Sequence, residues 1–122
     1  MKGNEMKAHP AMAQILTTQF RRAAMVYHWG REQEDRKMQS AGEKSAAEAI
    51  KGLDIWDEGR ASLVPLLDDP DPSVRVFAAG YLVKVMPDRP LPVLQELDER
   101  GTTVAHMTAF WFLQRHKSGE DL

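Results

Sequence analysis

The sequence predicts an all-α fold of about six helices packed as stacked pairs. Apolar residues recur at steps of three and four through most of the chain, and no useful length alternates apolar with polar residues. Two strings thirty residues apart also match along their apolar positions, the mark of a repeated helical unit. A strand would need a period of two, so these patterns leave no place for a sheet.

Residues 1–9 read as a polar tail and residues 10–122 as one domain. Pro10 suits the first turn of a helix, where a missing N–H costs little. Met12, Ile15, Leu16, Phe20, Ala23, Ala24 and Tyr27 then mark one helix face, and Gly30 is expected to end it. The string "REQEDRKMQSAGEKS" that follows is charged and poor in large apolar residues, and it fits a solvated helix or a loop equally. Ala46, Ala49, Ile50 and Leu53 form the stripe of the next helix.

From Asp57 to Leu67 a short helix has Leu63, Val64, Leu66 and Leu67 to bury, with a bend expected at Pro65. The corner "DDPDPSVR" comes next. Asp71 is placed to cap the following helix and Pro72 to occupy its first position, while Asp68 and Asp69 lie near its positive end. Two further helices are expected from about Pro90 to Glu99 and from about Thr102 to Lys117.

The repeat explains why the helix after Pro72 is so apolar. "LVPLLDDPDPSVRVFAAGYLV" from Leu63 falls on "VLQELDERGTTVAHMTAFWFL" from Val93. Leu67 then meets Leu97, Asp69 meets Glu99, Val74 meets Val104, Ala79 meets Ala109, Tyr81 meets Trp111 and Leu82 meets Phe112. One helix pair cannot bury its apolar face alone, so such units stack and inner units are covered on two sides. Val74, Phe77, Ala78, Tyr81 and Val85 make one broad face, and Val76, Ala79, Val83 and Met86 a second. Only Ser73, Gly80 and Lys84 share a strip without apolar bulk, and Gly80 there reads as a point of close helix approach. A helix apolar nearly all round is a buried one.

The string from Leu63 to Leu82 resembles a HEAT repeat of the kind shared by bacterial lyase-type HEAT families. That resemblance implies a short right-handed α-α superhelix of HEAT/ARM-like repeats, with Asp69 and Arg75 joined in a ladder at the inter-helix turn. Together with Asp71 and Pro72 they would form the structural corner. The next unit departs from the pattern, with Ala105 where an arginine would stand. The whole resembles a small bacterial ARM/HEAT-like family that carries no assigned activity.

Candidate chemistry is sparse. His28 and Glu32 are one helical turn apart, but no third residue stands at a metal-ligand spacing. His106 falls in the last helix and His116 near its end, where an imidazolium suits the helix dipole; a structural role suffices for both, and His9 sits in the tail. Glu32, Glu34 and Asp35 among Arg31, Arg36 and Lys37 read as a solvated face. No serine sits in a nucleophile elbow and no glycine pattern suits phosphates. Trp29, Trp56 and Trp111 are expected in core or edge packing. The exception is "AFWFL". Three successive aromatics cannot share one core face, so Phe110 and Trp111 are the candidate interface residues.

The chain has no cysteine, which removes disulfides, thiolate chemistry and Cys-based metal centres. Its net charge of −2 gives no electrostatic reason to expect nucleic acid or an anionic membrane as main partner. The amino-terminal residues lack a signal-like apolar core, and a cytoplasmic location is expected. The function expected is a non-enzymatic protein-interaction module, an adaptor or an immunity-type partner of another protein, with no cofactor. The alternatives are a nucleic-acid-binding HEAT-like protein, using Arg21, Arg22, Arg31, Arg36, Lys37, Lys44 and Lys51, or a lyase-type HEAT enzyme.

Overall fold

The computed structural model describes residues 9–100 and 103–122; the tail through residue 8 and the helix start expected at Thr102 lie outside the described residues. The chain forms α1 (Pro10–Glu32), α2 (Arg36–Leu53), a 3₁₀ helix (Gly59–Asp68), α3 (Pro72–Leu82), α4 (Pro90–Arg100) and α5 (Thr103–Lys117). These are six helices with no strand among the described residues, as the periodicity predicts. α1 packs on α2, the 3₁₀ helix on α3, and α4 on α5, while α3 touches α1, the 3₁₀ helix, α4 and α5.

The first pair is an antiparallel hairpin. Gln19 Nε2 donates to the Ser45 carbonyl at 3.0 Å, far from the turn, while the Gln39 amide reaches the Gly30 carbonyl near it. A Cβ on Gly42 would lie 2.6 Å from the Tyr27 backbone nitrogen, so α2 can approach α1 this closely only without a side chain there. Gly30 does not end α1. It is buried inside the helix, which runs on to Glu32, and a Cβ there would meet the start of α2. The charged string divides: Gln33–Asp35 form the turn, Glu34 takes a left-handed φ of 55°, and Asp35 caps α2 by accepting from the Met38 amide at 3.1 Å. Ala46, Ala49, Ile50 and Leu53 are all buried as expected. Met12 and Ile15 are not part of the core stripe. Both are exposed, and the inward face of α1 is Phe20, Ala23, Ala24 and His28.

Between the hairpin and α3 the chain winds as a 3₁₀ helix rather than a bent α-helix, with Pro65 exposed and Leu63, Leu66 and Leu67 turned inward. The buried Arg60 holds this segment in place. Its Nε and Nη2 donate to the two Asp54 carboxylate oxygens at 2.9 Å each, Nη1 to the Tyr81 carbonyl at 2.8 Å and Nη2 also to the Leu122 carbonyl at 2.8 Å. Only a guanidinium presents that many donors in a rigid fork. No local pattern in the sequence marks this arginine.

α3 is the middle of the molecule. Apart from Arg75, every residue from Val74 to Leu82 is buried. The helix ends at Leu82, earlier than its apolar pattern extends, and this leaves Val85 exposed rather than on a buried face. Gly80 is covered by α5: a Cβ there would stand 2.3 Å from the Phe112 ring. That ring is 3% exposed and packs edge-on against Phe77 and Tyr81, so it has nowhere to go. Alanine is the better helix former by about 1 kcal/mol, yet Gly80→Ala should destabilise the protein by about 1–3 kcal/mol through overpacking, and Gly80→Leu by more. Urea melts give the sign directly. A more stable alanine variant would mean that the strip is open.

The corner before α3 is held differently from the ladder that the resemblance implies. Asp71 accepts from the Ser73 amide at 2.9 Å and Pro72 takes the first helical turn, as expected. The Asp69 carboxylate, however, is taken by Arg21 of α1, with Nε–Oδ2 at 2.7 Å and Nη2–Oδ1 at 3.2 Å. Arg75 Nη1 donates instead to the Asp69 main-chain carbonyl at 2.7 Å. Asp69 faces α1, and Arg75 reaches it only from behind. Hydrogen bonding from Arg21, then from the Asp71 amide, lowers the Asp69 pKa despite its burial. A carboxyl whose folded pKa is depressed stabilises above its unfolded value, about 3.9, and loses that contribution as pH falls through the folded pKa. Asp69→Asn should therefore flatten the acid limb of stability against pH. In an NMR titration Arg21→Gln should move the Asp69 midpoint upward; an unmoved midpoint would show that the arginine does not hold it.

Candidate interaction groove

The aromatic triplet of α5 divides as its sequence requires. Ala105, Thr108, Ala109 and Phe112 follow helical spacing and are buried, which turns Met107, Phe110 and Trp111 outward. Phe110 is 51% exposed and Trp111 45%, both far more than an aromatic serving the core leaves in water. The repeat holds at Ala79 with Ala109 and Leu82 with Phe112, all buried, but fails where Tyr81 is inside and Trp111 outside.

Phe110 and Trp111 share a groove of about 430 Å³ with Tyr27 and Arg31 of α1, Glu43 of α2, and His106, Met107 and Thr108 of α5. The α1–α2 hairpin and the distant α5 thus bring aromatic, thioether and charged groups to one concavity. Arg31 Nη1 donates to the Tyr27 hydroxyl at 3.1 Å, and the Arg115 guanidinium lies 4.9 Å from the centre of the Trp111 ring. Among the described residues neither arginine has a carboxylate within ion-pair distance. His106 Nδ1 sits 3.3 Å from an Asp98 carboxylate oxygen at the groove's edge. Thr108 Oγ1 donates to the Val104 carbonyl of its own helix at 2.9 Å.

The other candidate residues lie apart. α1 does cross Gly30, so His28 and Glu32 share a helix, but His28 is buried while Glu32 is exposed, and among the described residues no group of three possible ligands gathers. His116 pairs with the Asp121 carboxylate at 3.1 Å. No tryptophan enters the core: Trp29 and Trp111 are exposed and Trp56 is half-buried, leaving Phe20, Phe77, Tyr81 and Phe112 as the inner aromatics. Arg36, Lys37 and Lys44 gather around Ser40 and Ala41 in a shallow depression that no carboxylate lines, a separation of charge that the interspersed sequence does not reveal.

His28 has a structural part. Its Nδ1 bonds with the Ala24 carbonyl at 2.9 Å, so that nitrogen carries the proton, and Nε2 is buried without a partner against the rings of Tyr27 and Phe77. Burial is the main cause of its lowered pKa. A base with a depressed folded pKa binds fewer protons folded than unfolded, so stability falls as pH drops below the unfolded value of about 6.5 until the folded pKa is passed. His28→Phe should remove this slope from thermal melts taken across that window. An unchanged slope would assign it to other histidines.

No protein-family model, curated protein or solved structure matches this chain. Among the described residues, no helix is long and apolar enough to cross a membrane.

Proposed function

We propose that the chain is a non-enzymatic protein-interaction module, built as a short right-handed HEAT/ARM-like stack, that holds a segment of another protein in the groove between α1, α2 and α5. The observation that carries this reading is the outward display of Phe110 and Trp111, with Met107, on a wall facing Tyr27 and Arg31. Exposed aromatics beside an arginine are the side chains that dominate binding energy at interfaces. Arg31 lines the groove as a cation and Glu43 as an anion, so the fitting segment carries an apolar anchor flanked by groups of both charge signs. An adaptor and an immunity-type partner both use a surface of this kind.

Nucleic-acid binding is the second reading, favoured by the depression of Arg36, Lys37 and Lys44. The net charge of −2 opposes it, because phosphate contact relies on a broad basic surface.

Affinity capture from native cell extract, with Phe110→Ala and Trp111→Ala beside wild type, separates the two. Each variant should weaken capture of a stoichiometric protein by about 2 kcal/mol or more, while urea melts stay close to wild type. Capture of nucleic acid, lost with added salt or with Lys37→Gln and Lys44→Gln, would replace the leading reading by the second. A captured protein indifferent to both aromatic variants would place the docking surface elsewhere.

A further inference from the structure

The outward face of α1 carries a second apolar surface, on the side away from the core. Ala11, Ile15, Thr18, Arg22, Met25 and Trp29 follow one another at steps of four, three, four, three and four, the spacing of a coiled-coil seam. All six are exposed, with Ile15 at 58% and Trp29 at 52%. A seam of this spacing on a single helix lacks the partner helix whose side chains would fill it. Beside it the short side chains of Ala41 and Ser45 on α2 leave a valley of about 890 Å³, room for another helix to come close.

The order of the residues says which helix fits. A parallel copy would set Arg22 against Arg22 and Trp29 against Trp29, a like-charge contact and a clash of bulk. An antiparallel copy, with the two-fold axis crossing α1 midway between Thr18 and Arg22, sets Trp29 over Ala11, Met25 over Ile15 and Arg22 beside Thr18. Each large residue then meets a smaller or flexible one, and no arginine of the seam faces itself. Met12 and Val26 extend the apolar strip along one edge. On the other edge Arg21 arrives already paired with Asp69 of its own chain, so it brings little uncompensated charge.

We propose that the chain forms a two-fold dimer through antiparallel packing of α1 on α1 of a second copy. A two-fold interface must be self-complementary, and this stripe is. The polar Thr18 and Arg22 pairs at its centre set the register, as a polar residue does in a coiled-coil seam. The α5 groove stays open in this arrangement, so the dimer does not depend on the partner reading above.

Sedimentation of the full chain from low micromolar to several hundred micromolar should show a reversible monomer–dimer equilibrium. Ile15→Lys should weaken the dimer at least tenfold, about 1.4 kcal/mol, with the far-ultraviolet spectrum and urea midpoint retained because Ile15 lies outside the core. The chain's lack of cysteine makes Ile15→Cys and Met25→Cys single-thiol proteins. Mixed and oxidised, they should give the cross-link between the two variants in excess of either homodimer. A monomer throughout the range, a dimer untouched by Ile15→Lys, or a predominance of homodimeric cross-links would each overturn the proposal.

Discussion

From Val76 to Val83 every residue is buried, so this stretch of chain must be walled on all sides before it can leave water. That demand organises the molecule. α1, the 3₁₀ helix, α4 and α5 each supply one wall, and Phe112 lies directly over the backbone at Gly80. The ends of α3 need polar partners as well, because helix termini leave amides and carbonyls unbonded. At the start, Asp71 takes the Ser73 amide, and Asp69 joins the corner to Arg21 and Arg75. At the finish, Arg60 takes the Tyr81 carbonyl while its own charge is met by Asp54. Charged groups thus hold both ends of an apolar rod, and each also ties it to another element.

A rod covered in this way sends the exposed apolar surface to the elements around it. The side chains of α1 that face away from α3 carry Ile15, Met25 and Trp29, and those of α5 carry Met107, Phe110 and Trp111. Inner helices spend their apolar residues on one another, whereas the flanking helices have a second face that the fold does not use. The two functional readings rest on those two faces, and they are separate in space: the groove uses Tyr27 and Arg31, the seam Thr18, Arg22 and Trp29.

Sequence reasoning reads the inner layers well because helical periodicity and local capping set them. The apolar excess after Pro72, the cap at Asp71, the close approach at Gly80 and the outward Phe110 and Trp111 all follow from residues within a few turns of each other. It misses what depends on distant neighbours. Nothing local says that Asp69 prefers Arg21 to the nearby Arg75, or that Arg60 is buried to serve Asp54, Tyr81 and Leu122 together. Gly30 looks like a helix stop because glycine disfavours helices; the contact with α2 that requires it lies across the turn. Met12 and Ile15 join the wrong stripe because α1 has two apolar faces, and a single pattern cannot tell them apart. The groove is hardest to foresee, since it joins Tyr27, Glu43 and Trp111 from three helices.

Residue-resolved native-state hydrogen exchange tests the central position of α3 most directly. Amides buried on all sides can exchange only when the whole domain opens, whereas those of a peripheral helix exchange through smaller local openings. Amides from Ala79 to Leu82 should show the full free energy of global unfolding and its denaturant dependence, and those at the ends of α1 and α5 should show less. Exchange of the α3 amides through a low-energy opening, with little dependence on denaturant, would contradict the account.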